Sequence, residues 1–250
     1  MTYRGRFLWH DLITPDPLGA EAFYLAVCGW RTAPVPGPAP YRLWLAKGVP
    51  VGGCLAESRS DRMPRWLTHI GTPNVDETVA QLKTVGGAVV RSPESLPGVG
   101  RFAVVADPFG ATFGLFAPVS IEPPPPEPVP PGWFSWHELS APDPEAALAF
   151  YRGLFGWESA GDFEMAGGER YHLFGLGGPP LGGGYRQAND LPEPAWLPYV
   201  RVADADRAAA AAQQAGGSLV TGPMEVPGGD RIAVLADPRG GAFAVHSLGE

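Results

Sequence analysis

Residues 134–157 read FSWHELSAPDPEAALAFYRGLFGW, and residues 7–30 read FLWHDLITPDPLGAEAFYLAVCGW. A shift of 127 positions, which takes Trp9 to Trp136, superposes His10 on His137, Asp11 on Glu138, Phe23-Tyr24 on Phe150-Tyr151 and Gly29-Trp30 on Gly156-Trp157. The chain is therefore an internal duplication. Within each copy an apolar, alternating run gives way to a turn and then to helical spacing, which reads as strand, turn, helix. Asp16 and Asp143 suit an N-cap, Pro17 and Pro144 suit the first helical position, and Ala147, Phe150, Tyr151 and Leu154 recur at i, i+3, i+4 and i+7 before Gly156 stops the helix.

Outward from this element, the first half reads as a strand over 6–13, a helix over 17–28 and strands near 30–35, 41–46 and 51–57. The plan then repeats with a strand at Trp66-Leu67, an Asn74-capped helix closed by Gly86-Gly87, and strands over 88–91, 101–106 and 112–117. Each half is thus a pair of βαβββ modules. Further along the second half the offset grows to 130: Trp66-Leu67 meets Trp196-Leu197, Arg101 meets Arg231, and Ala106-Asp107-Pro108 meets Ala236-Asp237-Pro238. The fold class expected is α+β, in two tandem domains over 1–117 and 132–250. They are joined by a proline-rich linker over 118–131, too poor in backbone donors for helix or central strand and read as polyproline II.

The 250 residues are 45% hydrophobic, enough to bury two cores of about 110 residues each. No apolar run approaches the roughly 20 residues of a membrane span, and the start runs directly into a strand, so the protein is placed in the cytoplasm with no membrane partner. A net charge of −8 argues against nucleic acid. The two cysteines, Cys28 and Cys54, have no metal-type spacing and read as buried thiols.

The strand-PD-helix-FY-x₃-FGW run, its copy at 7–30, and Ala-Asp-Pro-x-Gly before an apolar strand at 106–116 and 236–245 resemble the vicinal oxygen chelate superfamily of glyoxalases, bleomycin-resistance proteins and extradiol dioxygenases. The resemblance implies that each pair of modules forms a half-open barrel, a cup with its site inside. In metal-dependent members the ligands stand at positions that correspond here to Trp9, Leu67 and Gly114, and to Trp136, Leu197 and Ala244. None of the six can coordinate a divalent cation, so neither metal nor cofactor is expected.

Side chains alternate along a strand, so residues two positions from those six share their face. Asp11, His69 and Phe116 should line the first cup beside Trp9, and Glu138, Tyr199 and His246 the second beside Trp136. Three readings stand for the second set: Glu138 and His246, with Tyr199, are a general acid/base set, they are a displaced metal site, or they are hydrogen-bonded polar groups at the mouth of a cup that mainly binds. His10 and His137 have the opposite parity and read as structural. Trp44, Trp66 and Trp196 read as aromatic walls or as core, and the glycine-rich run at 177–184 reads as a hairpin over the second cup.

The expectation is a cup for a small hydrophobic or aromatic ligand, in a monomer with pseudo-dimeric halves or a weak homodimer. The bias to Ala, Pro, Gly and Arg fits a GC-rich bacterial genome, and the resemblance adds a link to antibiotic resistance or secondary metabolism. The alternative is a glyoxalase-type lyase or isomerase, or a hydroxylase- or dioxygenase-like enzyme.

Overall fold

The computed structural model describes residues 3–37, 40–57, 63–120, 128–165, 167–188 and 193–249; residues 121–127, half of the expected polyproline II segment, lie outside them. The first half runs β1 (Phe7–Thr14), α1 (Pro17–Cys28), β2 (Arg31–Val35), β3 (Tyr41–Ala46), β4 (Val49–Ala56), β5 (Arg65–Gly71), α2 (Val75–Thr84), β6 (Ala88–Leu96), β7 (Gly100–Ala106) and β8 (Thr112–Pro118). The second half repeats it as β9 (Phe134–Ala141), α3 (Pro144–Phe155), β10 (Glu158–Glu164), β11 (Arg170–Gly175), β12 (Pro180–Arg186), β13 (Ala195–Arg201), α4 (Ala205–Gln214), β14 (Ser218–Glu225), β15 (Arg231–Ala236) and β16 (Ala242–Ser247). Each half forms one open eight-stranded sheet, ordered β2-β3-β4-β1-β5-β8-β7-β6 and β10-β11-β12-β9-β13-β16-β15-β14.

Local chemistry sets the element ends. Asp16 accepts from Gly19 N at 3.0 Å and Asp143 from Ala146 N at 3.0 Å, while Gly29 and Gly156 close the two helices in the left-handed conformation. Strand β6 runs five residues beyond the expected 88–91 because it is an edge strand, where two register shifts accommodate Pro93. The glycine-rich run forms the expected hairpin only in its first part, the 176–179 turn between β11 and β12. Gly182, Gly183 and Gly184 are instead buried inside β12, paired with both β9 and β11, and a Cβ at Gly182 or Gly183 would collide with His137 O and the rings of Phe174 and Tyr171.

The chain packs as two compact units, each drawing one module from each half: Met1–Leu8, Thr68–Pro123 and His137–Trp196 in the first, Trp9–Leu67, Pro124–Trp136 and Leu197–Glu250 in the second. In the first unit α2 packs on α3 over a core that includes Ile70, Leu82, Phe113, Leu115, Tyr151, Phe155, Trp157 and Trp196. In the second, α1 packs on α4 over Phe23, Tyr24, Trp30, Trp44, Trp66, Val200 and Phe243. Trp44, Trp66 and Trp196 are thus core residues rather than aromatic walls. Cys54 is buried and Cys28 half-buried, both as thiols, and burial pushes the Cys54 pKa up to about 12.

The same hydrogen-bonded chain closes each core. In the second unit Trp66 Nε1 donates to Tyr24 OH at 2.9 Å, and Tyr24 OH donates to Asp237 Oδ2 at 3.3 Å. In the first unit Trp196 Nε1 donates to Tyr151 OH at 2.9 Å, and Tyr151 OH to Asp107 Oδ2 at 3.0 Å. Each aspartate also accepts from two backbone N–H groups of its own turn, at 2.8–2.9 Å. Burial still raises both carboxyl pKa values, against the opposing pull of these donors. His10 stacks on Phe134 with ring centroids 3.6 Å apart, and His137 on Phe7 at 3.5 Å; both histidines are buried.

Two outcomes follow. Tyr24→Phe removes a hydroxyl that both accepts and donates in a dry site, leaving Trp66 Nε1 and Asp237 Oδ2 short of a partner. It should cost about 1–3 kcal/mol of stability in urea unfolding. Burial lowers the His137 pKa to about 3, from about 6.5 in an unfolded chain. Its neutral form therefore contributes stability that is full above pH 6.5 and lost at about 1.4 kcal/mol per pH unit as pH falls toward 3. Denaturation of wild type and His137→Gln across pH 7 to 4.5 should show the gap between them closing as pH falls.

Candidate ligand-binding site

Alternation along the strands places the expected side chains as the sequence requires. On β5, Trp66 and Ile70 enter the cores, so Leu67 and His69 point to the other face; on β8, Phe113 and Leu115 enter the core, so Gly114 and Phe116 do the same. On β13 and β16, Val200, Phe243 and Val245 are core, leaving Leu197, Tyr199, Ala244 and His246 on the opposite face.

In the second unit, Trp9 and Asp11 come together with a residue the sequence reading did not single out, Tyr41. Tyr41 OH donates to Asp11 Oδ1 at 2.6 Å, and Trp9 Nε1 donates to both Tyr41 OH, at 2.8 Å, and Asp11 Oδ1, at 3.1 Å. Burial, then the neighbouring Asp11 charge, raises the Tyr41 pKa, so the phenol stays a donor. The cluster depends on Gly53, the partner of Asp11 in the β1–β4 register, because a Cβ there would overlap the Tyr41 hydroxyl and the Asp11 carboxylate.

The first unit holds the duplicated version. Tyr171 OH donates to Glu138 Oε2 at 2.9 Å, and Gly183, opposite Glu138 in the β12–β9 register, leaves the room that the Tyr171 ring occupies. Phe163 stacks on Tyr171 at 4.8 Å, and Tyr185 lies parallel to it at 6.3 Å. Burial and the Glu138 charge push the Tyr185 pKa up to about 12. The result is a carboxylate set in an aromatic surface that offers both ring faces and hydrogen-bonding atoms. A signal for both phenols was present: at the offset of 130, Tyr41 meets Tyr171 and Gly53 meets Gly183.

His69 is buried, its ring lying against Gly114 where a Cβ would collide with it, and edge-on to Phe116 at 6.5 Å. Trp136 is half-buried on β9, and Tyr199 is buried opposite Ala244. Glu138 and His246 belong to different units and have separate partners. His246 Nδ1 meets Ser135 Oγ at 3.0 Å and its Nε2 meets Asp230 Oδ2 at 2.9 Å, all within the second unit. A cleft of about 250 Å³ at the end of α1, lined by Cys28, Lys47, Gly132 and Arg201 among others, includes none of these side chains.

The six positions that correspond to metal ligands carry two tryptophans, two leucines, a glycine and an alanine, a set without a donor for a divalent ion. Among the described residues no group of three or more His, Cys, Asp or Glu side chains comes together elsewhere. These residues do not fit the metal of the metal-dependent enzymes that share the fold. No described helix is long and apolar enough to cross a membrane.

Residues 133–245 match the family model of the Glyoxalase/Bleomycin resistance protein/Dioxygenase superfamily, and residues 8–116 match that of a glyoxalase-like domain. The chain is 32% identical to "Putative glyoxylase CFP32" of Mycobacterium tuberculosis (strain CDC 1551 / Oshkosh), covering 95% of this chain and 92% of that one. It is 30% identical to "Anthracycline biosynthesis protein DnrV" of Streptomyces peucetius, covering 98% and 94%. Among solved structures, the Mn(II)-bound glyoxalase from Novosphingobium aromaticivorans matches with TM-score 0.65 at 18% identity, over 99% of this chain and 83% of that one. The 2,3-dioxygenase LapB from Pseudomonas sp. KL28 matches with TM-score 0.68 at 11% identity, over 100% and 94%; at such identities the likeness speaks for fold alone. Tandem modules, sheet order and sequence relatives agree, and the chain belongs to the Glyoxalase/Bleomycin resistance protein/Dioxygenase superfamily.

Proposed function

We propose that this protein binds a small, hydrophobic or aromatic molecule without the help of a metal, with its principal contacts in the second half, and that it serves secondary metabolism or antibiotic resistance. The observation that carries this reading is the Glu138–Tyr171 pair, set against Phe163 and Tyr185. A planar ring gains dispersion and apolar burial on those faces, while the carboxylate and phenols fix its orientation through hydrogen bonds. Trp136 and Tyr199, both in the second unit, are proposed as ligand contacts in their own right; Trp9, Asp11, His69 and Phe116 are the first half's counterparts. The relatives named anthracycline biosynthesis proteins direct the ligand class toward planar fused-ring compounds.

A second reading is enzymatic, and the same pair favours it. A carboxylate hydrogen-bonded to a phenol is a proton-handling set, and other relatives carry the name putative glyoxylase. In this reading Glu138 takes or returns the proton with Tyr171 as its partner, and His246, expected as the other member of an acid/base pair, lies in the other unit with partners of its own and is left out of the set.

Calorimetry with a panel of planar aromatic compounds, anthracyclines included, separates the two. For a binder, Trp136→Ala and Tyr171→Phe should each weaken affinity by about 1–3 kcal/mol, with Glu138→Gln keeping most of it and no turnover to lose. For the enzyme, Glu138→Gln should lower the rate about a hundredfold or more with binding little changed, assayed on hemithioacetal substrates with and without divalent ions. A ligand that responds to Trp9 or His69 instead would move the site to the first half.

The metal-free part has its own measurement. Protein purified without added metal should contain no stoichiometric Zn, Ni, Fe or Mn, and one equivalent surviving dialysis against chelator would overturn it.

A further inference from the structure

His246 has both ring nitrogens engaged inside the protein, Nδ1 with Ser135 Oγ at 3.0 Å and Nε2 with Asp230 Oδ2 at 2.9 Å. An ionised carboxylate can only accept, so Nε2 carries the proton and Nδ1 is left to accept the Ser135 hydroxyl hydrogen. Asp230 is suited to the charged form. Burial pushes its pKa up, but hydrogen bonds from His246 and from Gly249 N, the latter at 2.9 Å, outweigh this and hold it below the usual carboxylate value. The order of groups is carboxylate, imidazole, hydroxyl, in which an imidazole oriented by a carboxylate draws the proton from a serine oxygen.

The duplication supplies an internal control. At the corresponding positions the first half carries Leu8 for Ser135, Phe116 for His246 and Gly100 for Asp230, none of which can take part in such a series. There the Phe116 ring lies so close to Gly100 that no Cβ fits between them. The trio therefore belongs to the second half alone and is not a requirement of the shared fold. It is also reachable: His246 and Asp230 side chains are 17% and 33% exposed, and Ser135 is half-buried.

We propose that Ser135, His246 and Asp230 form a nucleophilic site that accepts the acyl group of a small activated ester, independently of the ligand surface around Glu138. Ser135 Oγ bonds to the ester carbonyl carbon as its proton passes to His246 Nδ1 and the carbonyl π pair moves onto the carbonyl oxygen. The carbonyl then re-forms as the bond from carbon to the leaving oxygen breaks, and that oxygen takes the proton from Nδ1. Water, deprotonated in turn by Nδ1, attacks the acyl-serine and releases the carboxylic acid, restoring the hydroxyl and the neutral imidazole.

The full chain is incubated with p-nitrophenyl acetate and, separately, with a fluorophosphonate, and covalent modification is followed by intact mass and peptide mapping. The expected result is one adduct, on Ser135, absent from Ser135→Ala. Asp230→Asn retains the serine and should slow labelling by about tenfold or more at an unchanged melting temperature. No adduct in the wild type, an adduct mapped to another residue, or labelling of Asp230→Asn at the wild-type rate would each overturn the proposal.

Discussion

The bond between a helix tyrosine and a turn aspartate joins the motifs that are far apart in the sequence. Tyr24 comes from the first half and Asp237 from the second, while Tyr151 and Asp107 reverse the origins. Each hydroxyl also receives a tryptophan N–H, from Trp66 or Trp196, and each aspartate gathers two backbone N–H groups of the Asp-Pro-x-Gly turn. Dry polar groups are costly unless satisfied, so such a chain is stabilising only when all its members are in place. It makes the assembly of each unit conditional on both halves of the chain.

With the cores filled by Trp30, Trp44, Trp66, Trp157 and Trp196, the opposite faces of the strands are relieved of that role. They can carry polar groups, and the duplication has used this freedom unevenly. Carboxylate, tyrosine and small opposing glycine persist in both halves, as Asp11, Tyr41 and Gly53 and as Glu138, Tyr171 and Gly183. Other positions have diverged: His69 against Gly114 in one half, Tyr199 against Ala244 in the other, and His246 with Ser135 and Asp230 in the second alone. Shared residues carry the feature common to both faces, and diverged ones give each half its own chemistry.

The sequence by itself determined the duplication, the order of elements, the helix ends and the face on which each strand residue stands. Capping residues and a side-chain period of two or 3.6 are local properties that need no knowledge of the partner. For the same reason it placed Trp9, Asp11, His69, Phe116, Trp136, Glu138, Tyr199 and His246 away from the cores. It left open which tryptophans were core, and it read the hairpin between β11 and β12 but not that Gly182, Gly183 and Gly184 belong to the strand, since a glycine required by a neighbouring ring looks the same in sequence as a glycine required by a turn. Only the tertiary structure decided which modules share a core, because periodicity shows that a helix has an apolar face and not what covers it. Only it, too, brought Tyr41 to Asp11, Tyr171 to Glu138, and Ser135 and Asp230 to His246, contacts that depend on side chains reaching across strands at ångström precision.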